Sequence, residues 1–193
     1  NLLRRRRIGG RAGRAIAMRS DSKGAKKTTT LFVKPTAASL TLGEIGKVIA
    51  DQLSEHAGSG DKLVLELPEA KVFTNLRATQ ELMKTIGPLG VRLALEQFGA
   101  GLNSFQLLKH IPAHYLKIDR TFMTELPKHK ENQEQIKEIC EPSHHAGTWT
   151  VAEFVEYPAS ISNLSMCCGN FVQGNFLQDP RKIRTNPAHK KHQ

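Results

Sequence analysis

The sequence predicts an α/β protein, a (β/α) barrel carrying about six of eight strands. Six short apolar runs alternate with amphipathic stretches, the pattern of strand–helix repeats that builds a parallel sheet. At or just past the carboxyl end of each run stands a polar residue: Lys34, Glu66, Glu96 with Gln97, Lys117 with Asp119, Glu153, and Gln173. In a barrel the loops after every strand meet at one rim, so a single pocket collects all of them. A doubly wound sheet collects only those at its switch point, and the even distribution favours the barrel.

The elements follow in order. TLFV (30–33) opens as a strand, and Leu42, Ile45, Val48, Ile49 and Leu53 recur at helical spacing over 40–56. KLVLEL (62–67) is the next strand, followed by a helix over 74–86 that stops at Gly87-Pro88. VRLALE (91–96) is a third strand, and SFQLLKH (104–110) a short helix. YLKI (115–118) precedes a helix over 131–140, which Pro142 should end or kink. TWTVAE (148–153), a helix over 158–167 and NFVQ (170–173) complete the series.

A chain of 193 residues can bury a sizeable core, and no apolar run is long enough to span a membrane. The net charge of +10 is unevenly placed: residues 1–27 hold ten basic residues against Asp21 alone, so the remainder is close to neutral. Those residues read as a flexible basic arm, 28–182 as the folded domain and 183–193 as a polar tail. The arm lacks the apolar segment of a secretory signal and suits a transit peptide, an anion-binding tail or a plain linker. With no recognisable nucleic-acid motif, nucleic acid is not expected as a partner. Cys140, Cys167 and Cys168 have no metal-site spacing, and their odd number favours free thiols in a reducing, cytoplasmic setting. His144 and His145 are adjacent on a helix and cannot both face one ion.

Glu66, Glu96 and Glu153 in one pocket resemble a site for hard divalent cations such as Mg²⁺ or Mn²⁺, which two at a time clamp a phosphodiester. Lys34 at the same rim opposes metal binding, and Gln97 offers only a neutral oxygen. Taken singly, each carboxylate is equally an ordinary salt-bridged loop residue.

Six collinear segments carry a resemblance to the EAL domain family, whose active members hydrolyse cyclic di-GMP with two divalent metals on a TIM-like barrel. LFVKPTAASL resembles the strand bearing a metal-binding Asn, LELPEA the ExTE segment, and ALEQFGAG the DDFGxG loop. LKIDRTFM is similar to KIDxxF, VAEFVE to AEGVE, and FVQGNFLQDP to QGYxxxxP. The family's Glu-Ala-Leu strand and the strand before it have no counterpart here.

Measured against that pattern, the metal set is depleted. The Asn position is Lys34, the two Asp positions are Glu96 and Gln97, and only Glu66 and Glu153 remain as remnants. The resemblance therefore implies a catalytically inactive domain, with no required cofactor and no Mg or Mn. Binding of cyclic di-GMP is implied at Lys117, Asp119, Glu153, Gln173, Gly174, Pro180 and Gln97. Phe154 replaces the Gly of AEGVE and is placed to stack on a purine, or to pack into the rim. Glu69 matches the residue that supports the glycine loop, with Pro68 where the family has Thr. EFVE and QGNFLQ resemble the FimX type, which implies a PilZ-domain or other signalling partner in type IV pilus control. A residual phosphodiesterase and a scaffold binding no nucleotide remain the alternatives.

Overall fold

The computed structural model describes residues 30–35, 45–55, 60–101, 103–155, 158–167 and 170–174. The basic arm, the C-terminal tail and Pro180 lie outside them. Among the described residues six parallel strands pair in sequence order: β1 (Leu31–Val33), β2 (Leu63–Pro68), β3 (Arg92–Phe98), β4 (Tyr115–Ile118), β5 (Trp149–Ala152) and β6 (Phe171–Val172). Six helices connect or flank them: α1 (Ile45–Glu55), α2 (Glu69–Thr74), α3 (Leu76–Ile86), α4 (Ser104–Leu108), α5 (Lys130–His145) and α6 (Pro158–Cys167). The strands curl into a half-barrel, as the sequence predicts.

Strand alternation sorts the side chains into two layers. Leu63, Leu65 and Leu67, then Leu93 and Leu95, then Leu116 and Ile118 point to the helices and join Ile49, Leu53, Leu82, Ile86, Ile136 and Ile139 in the main core. The opposite face carries a smaller apolar layer of Val64, Ala94, Tyr115 and Val151. One pleat further toward the carboxyl ends, that same face presents charge, because Glu66, Glu96 and Lys117 each lie two residues beyond a member of that layer.

Three features differ from expectation. The helix expected over 74–86 is α3, Leu76–Ile86, but a short helix that was not expected, α2, precedes it, and Asn75 at the junction donates its side-chain amide to the Lys71 carbonyl (3.0 Å). Pro142 does not end α5, which runs on to His145. Its missing N–H falls near the last turn, where few bonds remain to be lost. Cys140 is disulfide-bonded rather than a free thiol, so cysteine usage no longer argues for a reducing compartment. No helix among the described residues is long and apolar enough to cross a membrane.

Leu116 is fully buried on the central strand β4. Leu116→Ala should cost about 2–5 kcal/mol, read as a lower urea midpoint at unchanged slope.

Candidate functional site

The charged layer meets at the carboxyl ends of the strands around Lys117. Its ammonium is 2.5 Å from Glu66 Oε1, 2.7 Å from Glu153 Oε1 and 3.8 Å from Glu96 Oε1. The Lys117 residue is only 3% exposed, and Glu66 and Glu96 are buried with it. Lys34, at the end of β1, places its ammonium 2.6 Å from Glu96 Oε2, a contact whose angles fall outside hydrogen-bond range, so the attraction is coulombic. The Lys34 side chain remains 58% exposed.

Burial raises the Glu66 carboxyl above its ordinary value; the hydrogen bond and charge of Lys117 oppose this, and Glu96 and Glu153 add to it. Burial alone would depress Lys117, yet the hydrogen bonds and charges of Glu153 and Glu66 outweigh it and leave its pKa raised. The ammonium therefore stabilises the fold across neutral pH, and that contribution disappears only as pH rises beyond the ordinary lysine range.

A cavity of about 620 Å³ opens over this cluster. Its walls include Phe32, Gln97, Asp119, Arg120, Phe154 and Gln173 besides the charged group. Gln97 and Glu96 both reach it, which plain alternation along a strand would forbid. The β3–β4 register shifts between Leu95 and Phe98, and Gln97 takes φ +56°. This irregularity re-aims Gln97 to the rim while Phe98 returns to the core.

The following loop is held by Glu69, the first residue of α2. Glu69 Oε2 accepts the Gly99 amide (3.0 Å) and Oε1 accepts the Ser104 hydroxyl (2.7 Å). Gly99 has φ +93°, which favours glycine, whereas a Cβ on Gly101 would stand 2.5 Å from Glu69 Oε1. Asp119 is engaged locally, accepting the Thr121 amide (2.9 Å) and hydroxyl (2.7 Å) as cap of the 3₁₀ turn Arg120–Met123.

The structure thus brings Gln97, Lys117, Asp119, Glu153, Phe154 and Gln173 to one cavity with Glu66 and Glu96. Gly174 stands apart from the cavity wall: a Cβ there would overlap the backbone of Val155. Phe154 is 53% exposed and has φ +58°, a conformation that costs a non-glycine residue about 1–2 kcal/mol. Phe32 and Arg120 were not singled out by the sequence reading. Phe32 had a usable signal, standing two residues before Lys34 and so on the same strand face; Arg120 directly follows the Lys117–Asp119 segment.

Among the described residues no group of three His, Cys, Asp or Glu side chains is placed to hold a metal ion. The Glu66, Glu96 and Glu153 carboxylates surround an ammonium instead.

A parallel β/α half-barrel with its charged residues gathered at the carboxyl rim defines a class of proteins that work at that rim. Residues 11–180 match the EAL domain model, and the chain belongs to that family. The match begins inside the stretch read as a basic arm. The EAL domain of Xanthomonas citri FimX in complex with c-diGMP superposes with a TM-score of 0.83 at 34% identity, over 89% of this chain and 68% of that one. The FimX EAL domain from Pseudomonas aeruginosa bound to c-di-GMP gives 0.80 at 27% identity, over 87% and 67%. The cyclic di-GMP phosphodiesterase PdeB of Shewanella oneidensis is 30% identical over 118 residues, 61% of this chain and 14% of that protein. The signaling protein YkoW of Bacillus subtilis is 28% identical over 133 residues, 69% and 17%. The chain spans under a fifth of the length of these two relatives.

Replacing Lys117 by Met should leave the buried carboxylates uncompensated and cost about 3–5 kcal/mol at pH 7.5. The loss should shrink as pH falls and the carboxylates take up protons, which urea titrations at pH 7.5 and 5 would register.

Proposed function

We propose that this chain is a catalytically inactive EAL domain that binds cyclic di-GMP as a receptor, with residues 28–182 as the binding unit. The observation that carries the reading is the Lys117 ammonium lying between Glu66 and Glu153 and near Glu96. The donor set does not fit a pair of divalent ions. Lys117 already satisfies two of the carboxylates and lies near the third, a second ammonium, Lys34, contacts Glu96, and Gln97 supplies an amide in place of a carboxylate. Without an ion to polarise the phosphodiester or generate a hydroxide, the residues present supply recognition and not cleavage.

Recognition draws on a different set. Phe154 offers a ring face to a purine, Gln97 and Gln173 offer amides to base edges or phosphate, and Lys117 and Lys34 reduce the negative field that an anionic ligand meets. Asp119 and Glu153 hold this frame through their own hydrogen bonds; Pro180 and Gly174 complete the set taken over from the family pattern. The likeness to FimX domains bound to c-di-GMP supports the same reading. As a cytoplasmic receptor the domain would act through a protein partner, of PilZ type by the FimX likeness, in type IV pilus control.

Calorimetric titration of cyclic di-GMP in EDTA should give saturable heat, and incubation with Mn²⁺ or Mg²⁺ should give no linear dinucleotide by chromatography. Linear product would restore the phosphodiesterase, and absence of heat would leave a scaffold that binds no nucleotide. Phe154→Ala should weaken binding by about 1–3 kcal/mol, and an unchanged affinity would remove the ring from the binding set.

A further inference from the structure

Among the described residues lining this cavity, Arg120 is the cation that the carboxylate cluster does not consume. Lys117 is held by Glu66 and Glu153, and Lys34 by Glu96, whereas no described carboxylate forms an ion pair with Arg120. The neighbouring Asp119 directs Oδ1 to Thr121. What holds Arg120 is the Phe154 ring, with the guanidinium carbon 5.5 Å from the ring centroid. That is within cation–π range, so the guanidinium lies over one face of the ring, and a purine that stacks there displaces it sideways. Phe154 itself is exposed and held in a left-handed backbone conformation, an outlier of the kind that collects at ligand sites.

We infer that Arg120 is the residue that reads the purine edge, making the cavity selective for guanine over adenine; the inference rests on the receptor reading above. A purine that takes the Phe154 face meets, at its edge, the guanidinium it has moved aside from over the ring. Guanine presents two acceptors there, O6 and N7, which match the two parallel N–H donors of the arginine fork. Adenine presents N7 beside the N6 amino group, so one donor faces another donor and the second hydrogen bond is lost. Phe154 binds either purine, because stacking is indifferent to the pattern of edge groups. Affinity and selectivity are thereby divided between two side chains in contact with each other.

The test is a competition titration of cyclic di-GMP and cyclic di-AMP against the wild type, Arg120→Met, Arg120→Lys and Phe154→Ala, with a melting curve for each. Met keeps a stem to lie on the ring and removes the fork; Lys keeps the charge and removes the paired donors. The wild type should favour cyclic di-GMP. Both Arg120 variants should reduce that preference by roughly 5- to 150-fold, chiefly through weaker cyclic di-GMP binding, with an unchanged melting temperature. Phe154→Ala should weaken both ligands and leave a preference of the same sign. A preference that survives Arg120→Met, or a variant that weakens both ligands equally, overturns the assignment, the latter by making Arg120 a phosphate contact. Selectivity retained by Arg120→Lys alone also overturns it, since charge would then suffice. If the wild type binds neither dinucleotide, the receptor reading falls and this inference with it.

Discussion

Three carboxylates converge on the buried end of the strand face, and Lys117 is what makes that arrangement tolerable. An ammonium with Glu66 and Glu153 at hydrogen-bond distance and Glu96 nearby offsets charges that have been taken out of water. The raised pKa of Lys117 keeps the compensation in place well past neutral pH, while the raised pKa of Glu66 records that the offset is incomplete. Everything at the rim is arranged around this charge group. Lys34 adds to it from β1, Phe32 places its ring 5.9 Å from the same ammonium, and the cavity opens directly above.

Backbone irregularity then decides which neighbours share the cavity. The register shift in β3 allows consecutive residues, Glu96 and Gln97, to face the same space, and Glu69 fixes the loop beyond through one amide and one hydroxyl. Phe154 departs from ordinary backbone geometry at the end of β5, and it is there that the cavity gains an aromatic face. Regular strands supply the charge, and the breaks in regularity supply the surfaces that a ligand could use.

The parts of the fold legible in the sequence were those that depend on periodicity. Leu63, Leu65 and Leu67 announced a strand with one face on helices, and the polar residue ending each run marked the rim. Less legible were the ends of elements: a short helix, α2, precedes the one expected over 74–86, and Pro142 is carried inside α5. The site was readable as a set of positions but not as a set of pairings. Nothing in the order of residues says that Lys34 meets Glu96, or that Arg120 and Phe154, over thirty residues apart, touch.

Gly174 follows the last strand at the rim, where any side chain would collide with the Val155 main chain. The Gln173 amide donates to the Ala152 carbonyl and the Val155 amide donates to the Gln173 carbonyl, closing β6 onto the end of β5, and this requires the two segments to approach without a Cβ between them. The glycine is thus required by the assembly of the sheet whether or not a nucleotide ever binds beside it. A lineage that abandoned the ligand would still retain this letter of the motif. Persistence of Gly174 among descendants would testify to folding, and a record of ligand use has to be sought in side chains such as Phe154 and Arg120 that the fold could spare.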